Sequence, residues 1–152
     1  MHFPDMNVTR TVTLWVAGIP KPQGSKRAFI HPHTKRVVMT ESAGAPLKDW
    51  RYDMKMSAIA EMSGEPLMVQ PFGVRVTVLF IMPRPVSLPK TRATPLAVKK
   101  PDLDKLVRAV GDSLTGVVYA DDSQVVSMAL FKRIAELGES PGAHILVEEV
   151  SL

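Results

Sequence analysis

The sequence predicts one domain of the α/β (α+β) class, with a small mixed β-sheet of about four to five strands and two main amphipathic helices. Two kinds of apolar spacing predict it: alternation at every second residue indicates strands, and recurrence every three or four residues indicates helices. The 152 residues, 45% of them hydrophobic, are enough for one core of ordinary size. Because no repeat or linker divides the chain, we expect residues 1–152 to form a single domain.

Strands are predicted where β-branched and apolar residues alternate with other residues. The clearest strand has valine or phenylalanine at every second position from Val74 to Phe80, and we expect it at the centre of the sheet. The strands are predicted at residues 11–16, 72–81, 124–134 and 144–150, with a short hairpin at 28–30 and 36–39 and a brief extended piece at 117–119.

Two segments have the apolar spacing of amphipathic helices. The first begins at Pro46, which suits a helix's first turn, and stops at Gly64. Its apolar positions are Leu47, Trp50, Met54, Ala58 and Met62. The second helix follows Pro101 and ends at Gly116. Its apolar positions are Leu103, Leu106, Val107, Val110 and Leu114.

Two stretches are predicted to lie outside these elements. Residues 1–10 show no regular apolar pattern and are expected to be flexible. Residues 82–101 contain five prolines, five basic residues and no acid. Because proline cannot donate a backbone hydrogen bond and breaks helices, this second stretch is predicted to be an exposed, basic loop.

Charge and cysteine content restrict the classes of function. Lys and Arg number 19 against 15 Asp and Glu, a net charge of +4, which favours a polyanionic partner. No acid lies between Glu65 and Asp102, so the basic residues are segregated from the acids. With no cysteine, disulfides, zinc–thiolate sites and cysteine nucleophiles are excluded. We expect a cytoplasmic protein with no export signal and no membrane partner, since no apolar run is long enough for a span.

Five aspartates are concentrated in one short part of this basic protein. They are Asp102, Asp104, Asp112, Asp121 and Asp122. Carboxylates that lie close together repel one another, so such a group usually holds a cation. Hard carboxylate oxygens suit Mg²⁺, with Mn²⁺ as a substitute. The sequence therefore predicts a metal site.

The start of the second helix determines how its acids can act. Asp102 is expected at or just before the helix start, where extended backbone lets its side chain converge with that of Asp104. From Asp104 the polar face of the helix continues to Arg108 and Asp112, so Arg108 can contact whatever binds the acids. If folding returns Asp121 or Asp122 to Asp102 and Asp104, the three acids could hold an ion that also binds a phosphate. Such an ion would favour metal-assisted hydrolysis of a phosphodiester.

Residues 100–126 resemble, without a gap, the signature of the RusA family of Holliday junction resolvases. The matching stretches are Lys100–Leu106, Arg108–Ala109, Asp112–Leu114 and Tyr119–Val126. The resemblance implies a RusA-like fold and a homodimeric, magnesium-dependent endonuclease. Such an enzyme nicks two opposed strands of a four-way DNA junction during recombination and repair, in a bacterial cell or in a host infected by its phage.

The resemblance also implies roles for single residues. The family's essential acids fall on Asp102, Asp104 and Asp122, with Asp121 as a further candidate ligand, and Arg108 takes the position of a functional lysine. Lys105 replaces the asparagine that is common in the family. Because arginine keeps its charge at every physiological pH, Arg108 can bind a phosphate but cannot act as a titrating acid or base.

Basic residues near the acids are the candidate contacts to DNA phosphates. Lys99 and Lys100 immediately precede the acids, and Lys105 follows within the helix. The other candidates are Arg84, Lys90 and Arg92 in the Pro-rich loop and Lys26 and Arg27 in an earlier basic loop. Clustered Lys and Arg of this kind are typical of surfaces that bind nucleic acid.

Three alternatives compete with this interpretation. Asp102 and Asp104 could serve only as a helix cap and a first-turn acid, although this leaves Asp121 and Asp122 unexplained. The chain could be a module that binds branched DNA without cutting it. It could also be a metal-dependent phosphatase with the motif Asp-x-Asp (DxD), here Asp102 and Asp104. In such phosphatases the motif follows a buried apolar strand, whereas in this chain two lysines and a proline precede it.

Overall fold

A computed structural model describes residues 1–24, 27–40 and 44–152. The elements follow in the order β1 (Asn7–Ala17), β2 (Arg27–Ile30), β3 (Val37–Thr40), α1 (Gly44–Met62), β4 (Gly73–Met82), α2 (Leu103–Leu114), a 3₁₀ turn (Asp122–Gln124), β5 (Val125–Ile134) and β6 (Gly142–Ser151). Two helices and a mixed sheet of four strands confirm the predicted fold class. In the described part of the chain, no helix is both long enough and apolar enough to cross a membrane.

The sheet has the strand order β1-β6-β4-β5. β6 pairs antiparallel with both β1 and β4, and β4 pairs parallel with β5. β4 therefore lies inside the sheet, as its continuous apolar alternation predicts. The strands β2 and β3 form a separate hairpin. Because β4 and β5 are parallel, the chain between them must cross over, and α2 forms part of that crossover.

Both helices contribute to the core. In α1 the five positions predicted to be apolar contacts are all buried. In α2 the buried residues are Leu106, Ala109, Val110, Ser113 and Leu114, whereas Leu103 and Val107 are partly buried. Alternate β4 residues from Val74 to Phe80 are buried in the same cluster. One face of the sheet is therefore covered, and the apolar side of α2 is fixed against it.

Several boundaries differ from those that the sequence predicts. Residues 7–10, expected to be flexible, belong to β1, whose pairing with β6 extends to Asn7 opposite Ser151. Helix α1 begins at Gly44 instead of Pro46. The predicted extended piece at 117–119 is mostly a turn, because Val118 N–H donates to Leu114 C=O over 2.9 Å. Strand pairing adds residues 7–10 to β1 and a turn forms at residues 117–119, and apolar spacing predicts neither.

The Pro-rich stretch between β4 and α2 is exposed over most of its length but is held together by Arg84. The Arg84 guanidinium donates to Thr94 Oγ1 over 2.7 Å and to Arg92 C=O over 3.1 Å. Thr94 Oγ1 in turn donates to Glu136 over 2.6 Å, which ties the loop to the chain beyond β5. Arg84 therefore organises this loop from within.

An ion pair closes the turn after β5. The Arg133 guanidinium donates two hydrogen bonds of 2.5 and 2.7 Å to Glu139. These bonds lower the pKa of the Glu139 carboxyl from 4.5 to about 2. Since the folded-state pKa is the lower one, the carboxylate stabilises the fold above pH 4.5, and this stabilisation is lost as the pH falls towards 2.

We therefore predict that Glu139→Gln destabilises the protein at about pH 6 and much less at about pH 2, because at the lower pH the wild-type carboxyl is about half protonated even in the folded protein and most of its stabilisation is lost. Denaturant unfolding of both proteins at the two pH values measures the difference. Glu61→Gln, at an exposed position of α1, is the matched control. An effect of Glu139→Gln that is equal at both pH values would contradict the assignment.

Candidate active site

Asp102 is placed by the junction between the Pro-rich loop and α2. It is the N-cap residue of α2, with extended backbone (φ −75°, ψ 145°), and its side chain makes no capping hydrogen bond. Its backbone carbonyl accepts the first helical hydrogen bond, from Leu106 N–H over 3.1 Å. Helix capping therefore does not explain this carboxylate. Asp104 follows in the first turn of the helix, and both side chains are exposed.

Each of these two acids lies near a cation of its own helix. Lys105 Nζ is 3.7 Å from Asp102 Oδ2, and an Arg108 guanidinium nitrogen is 3.7 Å from Asp104 Oδ2. These distances are too long for direct hydrogen bonds, and exposed pairs of this kind contribute little to stability. The two carboxylates are thus partly neutralised but remain able to exchange these partners for an ion.

Asp121 and Asp122, the two later acids, differ in their hydrogen bonding. Asp121 caps the 3₁₀ turn: its carboxylate accepts from Ser123 N–H over 2.8 Å, and its own N–H donates to the Gln124 side chain over 2.9 Å. The hydrogen bonds from Ser123 lower the pKa of Asp121. Asp122 begins the turn and is exposed. Of the two, Asp122 is therefore the carboxylate not occupied by capping.

A cavity of about 510 Å³ lies between the polar face of α2 and the start of β5. Its polar lining includes Gln23, Arg108, Asp112, Tyr119 and Asp122. The fold therefore returns Asp122 to the face of α2 that carries Arg108, whereas the site hypothesis requires its return to Asp102 and Asp104. Asp102 and Asp104 are not part of this lining, since they lie nearer the N-terminus of the helix.

Tyr119 lies at the inner side of this cavity. It is almost fully buried, and burial raises the pKa of its hydroxyl, with a further increase from the nearby charges of Asp122 and Asp112. Thr115 offsets part of this increase through a hydrogen bond to the Tyr119 side chain. The Tyr119 hydroxyl therefore stays neutral, and Tyr119 lines the cavity while it is hydrogen-bonded to Thr115.

Asp112 connects α2 to the earlier basic loop. The Gln23 amide nitrogen donates a short hydrogen bond to Asp112 Oδ2, and Gln23 N–H donates to Lys105 C=O over 2.9 Å. An Arg51 guanidinium nitrogen lies 3.9 Å from the same Asp112 oxygen. Asp112 is thus a link between loop, α1 and α2. The sequence does not single out Gln23, because its partners are distant along the chain.

The donors suit a magnesium ion in their chemistry, although their side chains are not gathered around one point. Asp102, Asp104 and Asp122 offer exposed carboxylate oxygens, the ligand type that Mg²⁺ prefers. Among the residues that the structure describes, no three His, Cys, Asp or Glu side chains form a group of the kind that holds a metal. The residue types therefore match the ion, and their convergence remains a hypothesis.

The candidate DNA contacts differ in their surroundings. Lys90, Arg92, Lys99 and Lys100 are exposed, and Lys105 is half-buried beside Asp102. Arg84 is instead engaged in the hydrogen bonds that organise its loop. In the earlier loop, Lys26 lies outside the described residues and Arg27 is the first residue of β2.

Lys132 is a residue near the site that the sequence analysis missed. Its Nζ donates to Lys99 C=O and to Pro101 C=O, each over 2.8 Å. The signal for it is a lysine in phase with the apolar residues Leu130 and Ile134 of β5, where alternation predicts a residue facing the covered side of the sheet. Apolar spacing by itself predicts only a strand in this segment.

Comparison with known proteins identifies a matching family and a similar bacterial protein. The family model described as Endodeoxyribonuclease RusA matches residues 20–148. A protein of Bacillus subtilis (strain 168), named Uncharacterized protein YqaN, is 29% identical over 143 residues, which cover 90% of this chain and 94% of that protein. The matched residues include α2, the 3₁₀ turn and at least part of every strand other than β1. The chain therefore belongs to the RusA family of endodeoxyribonucleases.

Proposed function

We propose that this protein is a magnesium-dependent endonuclease that resolves four-way DNA junctions by paired, symmetric nicks during recombination and repair. The observation that carries the proposal is that two uncommitted acids lie at α2, one at its start and one beside its polar face. Asp102 is a helix N-cap without a capping bond, and Asp122 returns to the cavity that Arg108 lines. Membership of the RusA family supports the same reaction class.

Three carboxylates would hold the ion: Asp102, Asp104 and Asp122, with Mn²⁺ as a substitute for Mg²⁺. A bound ion polarises a phosphoryl oxygen and lowers the pKa of a bound water, which permits attack on the phosphodiester at neutral pH. The exposure of all three acids lets a DNA phosphate approach them directly. Asp121, as the cap of the 3₁₀ turn, holds the backbone that carries Asp122.

Arg108 is assigned to the phosphate. Its guanidinium is about half exposed and faces the cavity that also contains Asp122. A planar guanidinium can donate two parallel hydrogen bonds to phosphate oxygens and can stabilise the charge that develops during attack. Because arginine does not titrate in this pH range, Arg108 binds and stabilises but transfers no proton.

The exposed lysines and arginine before α2 are assigned to the DNA backbone. Lys99 and Lys100 immediately precede Asp102, and Lys90 and Arg92 lie in the loop that Arg84 organises. Gln23, bonded to Asp112 and to Lys105 of α2, holds the start of the earlier basic loop against this helix. The exposed basic groups next to the acids would contact phosphates that flank the cut bond.

A homodimer is part of the proposal because the substrate is symmetric. A four-way junction presents two equivalent strands for cutting, and a two-fold dimer presents two equivalent sites. Each subunit would then cut one strand, and the two nicks would lie at related positions.

The first prediction concerns the acids. Wild-type protein with Mg²⁺ should nick a synthetic four-way junction in pairs, and Asp102→Asn or Asp122→Asn should reduce the rate by more than about 100-fold, since each removes an ion ligand. Gel analysis of end-labelled junction strands measures the rate. Asp53→Asn, at an exposed position of α1, is the control.

The outcomes of this assay separate the competing functions. Cleavage that survives either substitution would refute the assigned site. Tight junction binding without cleavage by the wild-type protein would favour a non-cleaving DNA-binding module. Hydrolysis of a small phosphomonoester, without nicking of the junction, would favour a phosphatase-type enzyme with a DxD motif.

The second prediction concerns the lysines. Replacing Lys99 and Lys100 together by alanine should weaken binding to every DNA shape and reduce the slope of log affinity against log salt by about 1.8, or about 0.9 per lost phosphate contact. Fluorescence anisotropy in the absence of divalent ions measures the slope. Lys48→Ala with Lys55→Ala, two exposed lysines of α1, removes the same charge. An unchanged slope in the first variant would exclude these lysines from the interface.

The third prediction concerns assembly. Sedimentation equilibrium should show a dimer at the concentrations at which the junction is cut, because paired nicks require two sites. A protein that sediments only as a monomer, yet makes paired nicks at full rate under the same conditions, would refute the dimer.

A further inference from the structure

Lys132 lies in an environment that is unusual for a lysine. In β5 it is paired with Phe80 of β4, which is fully buried, so its side chain leaves the sheet on the covered side. The neighbouring positions on that side, Leu130 and Ile134, are half-buried. A charged group in such a place needs hydrogen-bond acceptors, since its desolvation is otherwise costly.

The acceptors are two backbone carbonyls that lead directly to the acids. Lys132 Nζ donates to Lys99 C=O and to Pro101 C=O, each over 2.8 Å. These are good charge-assisted distances, and the two bonds hold the backbone on both sides of Lys100. Within the described residues Lys132 forms no ion pair with a carboxylate. Its neighbour Arg133 instead binds Glu139.

The held segment positions Asp102. Pro101 is the residue before Asp102, and the Asp102 side chain makes no capping hydrogen bond that would orient it independently. The direction of this carboxylate is therefore set by the backbone that precedes it and by the helix that follows. The helix is fixed by its buried side, and the preceding backbone is fixed by Lys132.

We propose that Lys132 is a positioning residue that orients Asp102 for ion binding by holding the backbone of residues 99–101. The proposal rests on the proposed function, in which Asp102 is an ion ligand. It assigns Lys132 no contact with DNA or with the ion. Residues that orient ligands from outside typically change metal affinity or activity by about 10- to 100-fold when they are removed.

The test compares Lys132→Met, which keeps much of the side-chain length but removes the donors, with Lys132→Arg, which keeps a cationic donor. Lys55→Met, on exposed α1, controls for the loss of one charge. Three quantities are measured: Mn²⁺ affinity by electron paramagnetic resonance without DNA, junction affinity without divalent ions, and single-turnover cleavage as a function of Mg²⁺ concentration. Denaturant unfolding confirms that each variant is folded.

We expect Lys132→Met to weaken Mn²⁺ binding and to raise the Mg²⁺ concentration for half-maximal cleavage by about 10-fold or more. Junction affinity should change no more than in Lys55→Met, and Lys132→Arg should recover at least part of the metal affinity. If Lys132→Met does not fold, Lys132→Gln takes its place: Mn²⁺ binding weaker than in Lys55→Met supports the role, and equally tight binding overturns it.

Two results would overturn the assignment to Lys132. One is a Lys132→Met protein that binds Mn²⁺ as tightly as Lys55→Met. The other is a loss of junction affinity and of salt dependence, with metal affinity unchanged, which would make Lys132 a phosphate contact. If wild-type protein neither binds Mn²⁺ nor cuts the junction, the proposed function itself fails, whereas normal wild-type behaviour with an unaffected Lys132→Met removes only the role of Lys132.

Discussion

The burial of one side of α2 is the constraint on which the candidate site depends. Leu106, Val110 and Leu114 are fully or almost fully buried against α1 and the sheet, so the helix cannot rotate without exposing them. With that side fixed, Asp104 and Arg108 must face outward. The hydrophobic core thus determines where the charged groups point, and the loops before and after the helix need only supply the remaining acids.

Charge balance around α2 explains how several acids are accommodated near one helix. Asp102, Asp104 and Asp112 each lie within 4 Å of a different cation, namely Lys105, Arg108 and Arg51. These pairs are long and exposed, so they reduce repulsion between the carboxylates without binding them tightly. Lys105 and Arg108 therefore each place a cation next to a candidate ligand.

The hydrogen bonds around the candidate site show which of its residues have a structural role. Asp121 caps a turn and Arg84 organises a loop, although the sequence analysis considered the first as a possible ligand and the second as a DNA contact. Gln23 N–H and Lys132 Nζ each donate to main-chain carbonyls within or just before α2. Both therefore hold backbone next to the candidate acids.

The sequence by itself determined the main helices and strands and identified the candidate acids, because both inferences depend on local patterns. Apolar spacing predicts β4, α1 and α2, and the position of Pro101 predicts that Asp102 precedes the helix. Only the tertiary structure decided the partners of Lys132, Gln23 and Arg84, and the pairing that adds residues 7–10 to β1. These depend on which chain segments become neighbours, and a hydrogen bond between residues far apart in the chain leaves no periodic trace in the sequence.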